Sequence, residues 1–334
     1  MRERAGQHGK AITIRRFLIT SVRLCATAGL LWALATRVDL SRAAQMMGHI
    51  ALPLLAAALV ALLVTSPVIA LRWHAILSAE TPSPGPGALL KIVLVGLFFN
   101  QVLPTGIGGD AVRAWRCRKL GIGLSPAIRS IVLDRACGHT VLVLVYAASL
   151  PSLLNILTDP WQRGVVMAVL GAGLLGLAAL FLLDHLPRPL LGLRLIAPIA
   201  ELSRESRRLF THPARCGAVL GLSALTVALT ILAFKFVADG VGSRLSLGSW
   251  IMIVPPVTLI QLLPISLAGW GVREAALVVV LASFGVPAEA ALATSVLLGL
   301  CLIVIGLPGG LIWLADWDVV RPLPTPKPSQ SGGL

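Results

Sequence analysis

Charge is scarce in this sequence, and acid is scarcer than base. Asp, Glu, Lys and Arg make up 13% of its 334 residues, roughly half the share carried by a soluble domain. Hydrophobic residues make up 57%, and the mean hydropathy is +0.89. Those values exclude an ordinary soluble domain. The 14 acids stand against 28 Lys and Arg, for a net charge of +14. In so apolar a chain the excess does not point to nucleic acid, because Lys and Arg collect on cytoplasmic loops and face anionic lipid. Cysteine is also sparse. Cys25, Cys117, Cys137, Cys216 and Cys301 form no Cys-x-x-Cys pair and have no histidine cluster beside them. Disulfide and metal chemistry are therefore not expected, and these residues read as small apolar packing groups. No Gly-x-x-x-x-Gly-Lys-Ser/Thr stretch is present, so no nucleotide-driven step and no cofactor are expected.

Long apolar runs fill the space that charge leaves. Val165 to Leu183 has neither a charge nor a strongly polar group, enough helix to cross a hydrocarbon core of about 30 Å. Further spans are predicted over Phe17–Ala35, Ile50–Leu71, Ile128–Leu150, Ala218–Val237, Ala275–Val286 and Ala290–Leu314. The chain is thus expected to be an all-α polytopic membrane protein of about six to eight transmembrane helices. Arg2, Arg4, Lys10, Arg15 and Arg16 precede the first span against one acid, Glu3, which places the N-terminus in the cytoplasm. A signal peptide cleaved near Ala33-Leu34-Ala35 is the competing reading. Arg37 to His49 is expected at the outer interface. Residues 1–16 then form a cytoplasmic segment, 17–315 the membrane domain, and 316–334 a Pro/Ser/Gly-rich tail expected to be disordered.

One stretch occurs twice, 160 residues apart (101 to 261). Gln101-Val-Leu-Pro104-Thr-Gly106-Ile-Gly108-Gly109-Asp110-Ala-Val-Arg113 aligns with Gln261-Leu-Leu-Pro264-Ile-Ser266-Leu-Ala268-Gly269-Trp270-Gly271-Val-Arg273. Each copy interrupts an apolar segment too short for a comfortable crossing, Leu89–Leu103 in one case and Ser249–Leu263, with Pro255-Pro256, in the other. If the first segment crosses, the basic stretch Arg113, Arg116, Arg118 and Lys119 lies outside. If it dips in and returns, that stretch and the later basic loop over 184–215 fall inside with the N-terminus. Charge bias favours the second reading. With two re-entrant segments, three crossings separate the motifs and they enter from opposite faces, which is an inverted repeat.

Proline and glycine have physical work at such breaks. Proline cannot donate a backbone hydrogen bond, and Gly106, Gly108 and Gly109 permit close approach. A helix starting after the glycines aims free N–H groups at the break, where an anion can bind. Asp110 is placed to cap that helix and to pair with Arg113 one turn on. Arg273 sits against Glu274 between apolar segments, and an intramembrane ion pair marks a candidate site; the bland alternative is that both snorkel to the interface. Asp134-Arg135 opens the span after the first motif, with Asp134 expected to hold Arg135 or Arg129. Arg23 is expected to snorkel, and His139 to be a satisfied helix residue. Gly217/Gly221 and Gly306/Gly310 have the spacing of close helix contacts.

These residues also resemble a known family. Asn100-Gln101-x-Leu103-Pro104, Gly108-Gly109-Asp110-Ala111-x-Arg113, Asp134-Arg135, Gln261-x-x-Pro264 and Gly269-x-Gly271-x-Arg273-Glu274 are similar to the lysylphosphatidylglycerol synthase transmembrane-region, or flippase-like, family. The resemblance covers roughly residues 17 to 315 and includes the membrane half of bacterial multiple peptide resistance factors. It implies a bacterial inner-membrane protein moving an anionic or aminoacylated phospholipid, or a polyprenyl-phosphate glycolipid, between leaflets. It also implies that the motif residues bind substrate. The resistance factors carry a soluble aminoacyl-transferase domain after the membrane part. Here the sequence given stops at Leu334, so aminoacylation is not expected of it and a lipid-modifying enzyme becomes a possible partner. Two other classes stay open. An intramembrane enzyme acting on a lipid phosphate would draw on Asp110, Asp134, Glu274 or Ser266. A non-transporting scaffold for envelope-lipid assembly would need none of them.

Overall fold

A computed structural model describes residues 21–22, 24–79, 81, 83–103, 108–182, 185, 197–262 and 269–316. Pro104, Gly106, Pro264, Ser266, Ala268 and Arg23, the 1–16 segment and nearly all of the tail lie outside them. Among the described residues the secondary structure is helical throughout. Twelve helices follow in chain order: α1 Leu24–Ala35, α2 Leu40–Gly48, α3 Leu52–Leu77, α4 Pro86–Val102, α5 Gly108–Lys119, α6 Leu124–Ile156, α7 Pro160–Leu182, α8 Ala197–Phe210, α9 Pro213–Gly240, α10 Leu247–Ile260, α11 Val272–Ala282 and α12 Ala288–Ala315. Five of them, α3, α6, α7, α9 and α12, are long and apolar enough to cross a membrane.

Local chemistry sets several starts. Proline stands in the first turn of α3, α4 and α9, where its missing N–H costs nothing. Asp39 caps α2 by accepting from the Ser41 and Arg42 amides at 2.9 and 3.0 Å. Ser246 caps α10 through the Ser249 amide at 3.1 Å.

The two halves of the chain share one plan. In each, a helix and an amphipathic helix (α1–α2, then α7–α8) lead into a long span, a pair of short helices and a final long span. The packing follows the same exchange. The spans α3 and α9 pack on each other; α4 packs on α12 while α10 packs on α6; α5 packs on α6 while α11 packs on α12.

The first short pair is a hairpin. Going along α5, Gly109 meets Asn100 and Gly96, and Arg113 meets Gly96, while Ala114 and Cys117 share a cluster with Leu89, Ile92 and Val93. So α5 runs back antiparallel to α4. Its two ends open together: His74 at the end of α3 contacts Ser83 and Pro84 before α4, and Trp73 donates to Ser130 at the start of α6, 3.1 Å away. The 17 residues of α4 and 12 of α5 span roughly 26 and 18 Å at 1.5 Å per residue. Each is shorter than a core of about 30 Å. In the second half α10 and α11 have 14 and 11 residues.

Several sequence expectations need correction. The second span runs six residues past Leu71, to Leu77 (71 to 77), because the buried Arg72 finds partners instead of ending the helix. Pro255 and Pro256 do not break their segment: α10 continues through both, fully packed, to Ile260. The basic stretch over 184–215 contains the helix α8. Gly306 and Gly310 do meet Phe98 of α4, and Gly309 packs on the Leu94 carbonyl. Gly217 and Gly221 instead face open space, so they make no helix contact.

Candidate functional site

The described part of the first motif, from Gly108 on, builds a buried charge cluster. Gly96 leaves room for the Arg113 stem, since a Cβ there would sit 2.9 Å from Arg113 Cγ. Gly109 lets α5 approach α4 so closely that a Cβ would fall 2.1 Å from the Gly96 carbonyl. Asp110 is not the N-cap, because α5 already starts at Gly108. The cap comes across the hairpin instead: Asn100 Oδ1 accepts from the Gly109 amide at 3.0 Å. That amide is therefore already used and is not open to an anion.

Arg113 is 6% exposed. Its Nη2 donates to Asp134 Oδ2 at 3.2 Å, its Nη1 lies 3.5 Å from Asp110 Oδ1, and its guanidinium stacks 4.1 Å from the Trp73 ring. Its Nε is buried with no hydrogen-bond partner. Asp134, 1% exposed, does not hold Arg135 or Arg129 as the sequence suggested. It accepts from Arg72 Nε at 2.8 Å and from Arg113. Arg135 pairs with Asp110, and Arg129 with Glu205 on α8. Arg72 also donates to Ser223 on α9 at 3.2 Å, and Gly138 clears space for its guanidinium. Three guanidinium groups thus share two carboxylates, leaving one positive charge in excess.

The arginines line a cavity of about 250 Å³ among α3, α4, α5, α6, α9 and α10. Asn100, Asp134, Arg135 and His139 line it with them, and Ser223, Thr226, Thr230 and Thr258 face them. His139 Nδ1 lies 2.6 Å from the Arg135 carbonyl, so it is the protonated nitrogen that donates. Gln101, half-buried in the last turn of α4, does not reach the cavity.

The second motif is closed. Gly269 and Gly271 adopt φ of 83° and 86°, a left-handed backbone that suits glycine. Gln261 caps α10 and donates to the Val257 carbonyl at 3.1 Å; its side chain lies against Gly269. Arg273 Nη2 donates to Glu274 Oε1 at 2.8 Å, and Arg273 Nε donates to Ser295 Oγ at 2.9 Å, while Ser295 donates on to the same carboxylate at 2.8 Å. Glu274 also accepts from the Gly271 amide. Arg273 and Glu274 are 4% and 0% exposed, so neither snorkels. Arg273 does not line the cavity of Arg113. The motifs are equivalent in the fold but not in charge, since Ala114 stands where the second copy has Glu274.

Sequence reasoning missed Arg72. Its signal is an arginine followed by Trp-His at the end of an apolar run, a pattern that also marks the end of a span.

Long apolar helices, paired short helices and a buried arginine cluster define a polytopic helical membrane protein with an internal polar cavity. Residues 16–310 match the model of the family described as the lysylphosphatidylglycerol synthase TM region, and the chain belongs to that family. No curated protein matches it. Membership is consistent with a lipid-related role in the membrane.

Proposed function

We propose that the protein is a bacterial inner-membrane lipid transporter, a flippase or scramblase that carries the phosphate-bearing head group of a lipid through the Arg72–Arg113–Arg135 cavity. The observation that carries this is the unbalanced charge at that cavity: three guanidinium groups, two shared carboxylates and a buried, unpartnered Arg113 Nε. Buried charge is costly in a membrane and is found where it serves a pathway. A phosphate oxygen would complete the arginine donors with charge-assisted hydrogen bonds.

The α4–α5 hairpin and the α10–α11 pair are the re-entrant segments of an inverted repeat in this reading. The three long helices α6, α7 and α9 separate them, so they enter from opposite faces. That arrangement suits alternating access around a site at the repeat interface. The basic segments after α5 and before α9 then face the cytoplasm, with the N-terminus. We read the protein as a carrier rather than a catalyst, because Asp110 and Asp134 are both held by two arginines and neither is a free base. A lipid-modifying enzyme is the partner class that would supply substrate.

The test is translocation in proteoliposomes containing chain-labelled phosphatidylglycerol and a membrane-impermeant quencher. The proposal expects the protected inner-leaflet signal to be lost with protein and kept in empty vesicles. Protection equal to that of empty vesicles, with folded protein and with a proton or sodium gradient applied, would rule it out.

A further inference from the structure

The cavity's two walls differ in what they offer a ligand. One wall holds fixed cationic donors. Its acids are ion-paired, Asp134 with Arg72 and Arg113 and Asp110 with Arg113 and Arg135; Asp110, whose Oδ1 has no hydrogen bond, does not line the cavity. The facing wall carries hydroxyls whose protons are already spent. Thr226 donates to the Leu222 carbonyl at 2.9 Å, Thr230 to the Thr226 carbonyl at 2.9 Å, and Thr258 to the Val254 carbonyl at 2.8 Å. Each therefore presents lone pairs to the cavity. On the arginine side, His139 adds one more acceptor: its Nδ1 is bound to the Arg135 carbonyl, which leaves Nε2 as an acceptor in the neutral ring.

A matching ligand accepts at one end and donates at the other. Phosphate oxygens satisfy the arginines, and groups carrying protons satisfy the threonines. An ammonium group also donates, but it cancels the phosphate charge that the excess arginine attracts. It also finds no carboxylate unless it displaces an arginine from one, which strands a buried guanidinium. Hydroxyls donate without either cost. The volume of about 250 Å³ is the share of about eight waters at roughly 30 Å³ each, enough for a phosphate and a few hydroxylated carbons.

We infer that the cavity selects a lipid phosphodiester whose head group bears hydroxyls, as glycerol or a sugar does, over an aminoacylated lipid. This rests on the reading of the cavity as the lipid-head-group site, and it sets this chain apart from the aminoacyl lipid in its family's description.

The test separates binding from transport. Native mass spectrometry of the full chain is run with chain-matched phosphatidylglycerol, phosphatidylethanol (same charge, no hydroxyl) and lysylphosphatidylglycerol in equal amounts. Phosphatidylglycerol is expected to be retained most and the lysyl lipid least, with roughly a ten-fold preference over phosphatidylethanol from the threonine wall. Thr226→Val with Thr230→Val should lower phosphatidylglycerol to the level of phosphatidylethanol and leave the latter unchanged. Retention of the lysyl lipid at or above phosphatidylglycerol overturns the inference without any variant, as does a preference that the paired substitution leaves intact in folded protein. Selective binding without translocation of any lipid would sink the transport reading alone. No selective retention at all would sink the selectivity.

Discussion

Arg72 and Asp134, 62 residues apart in sequence, are joined by a 2.8 Å hydrogen bond in the interior. The bond fixes the end of α3 against α6, and Arg113 of the hairpin completes it from the other side at 3.2 Å. One carboxylate therefore ties together three elements that are distant along the chain. Replacing Asp134 with Asn leaves two buried guanidinium groups facing a neutral amide. Breaking a buried pair in this way costs about 3–5 kcal/mol. Asp134→Asn is expected to lower the melting temperature in detergent clearly. Combining it with Arg72→Met should recover part of that loss, and absence of any recovery would argue that the pair does not set stability.

The two motif arginines should differ in what they contribute to stability. Arg273→Ala strands Glu274, which is 0% exposed, and should also cost about 3–5 kcal/mol. Arg113→Ala leaves each carboxylate with one arginine, Asp134 with Arg72 and Asp110 with Arg135. Its stability cost should stay near 1–2 kcal/mol, in the ordinary range for a substitution. Thermal unfolding of the two variants side by side measures the difference.

Helix contacts give a third comparison. Gly109→Ala places a Cβ 2.1 Å from the Gly96 carbonyl, and Gly309→Ala places one 2.0 Å from the Leu94 carbonyl. Backbone must move in both cases, so both variants should lose stability or fail to fold. Gly217→Ala meets nothing within 4 Å and should be neutral or stabilising by up to about 1 kcal/mol, the helix preference of Ala over Gly. Equal effects at the three positions would contradict the packing described.

Topology can be read by thiol labelling in a cysteine-free background. Gly87→Cys and Leu120→Cys flank the α4–α5 hairpin, and Arg244→Cys and Pro287→Cys flank the α10–α11 pair; all four positions are exposed. An impermeant maleimide should reach the first two from one face of the membrane and the last two from the other. Labelling of Gly87→Cys and Leu120→Cys from opposite faces would mean that α4–α5 crosses.

The helical membrane class and the duplicated motif were legible because apolar length and Pro/Gly punctuation are local signals. Asp110–Arg113 and Arg273–Glu274 were also legible, since partners one turn apart or adjacent can be paired from spacing alone. Arg72 was not, because its meaning depends on Asp134 and Ser223, on two other helices. The same holds for the cap of α5, which Asn100 supplies across the hairpin while the nearer Asp110 turns to arginines. The unequal charge of the two motifs was hidden as well. The register aligned Arg113 with Arg273, but only the fold shows that Glu274 and Ser295 seal one and that a cavity receives the other.

The most direct test of the account is the rate of phosphatidylglycerol translocation in proteoliposomes by Arg113→Ala compared with the paired variant Arg273→Met with Glu274→Gln, both confirmed as folded. The paired variant removes the closed site's charges together and should transport at close to the native rate. Arg113→Ala should fall roughly 10- to 100-fold, the loss of one charged hydrogen bond of about 1.5–3 kcal/mol. Native transport by Arg113→Ala, with transport lost in the paired variant, would contradict the account and move the substrate site to the second motif.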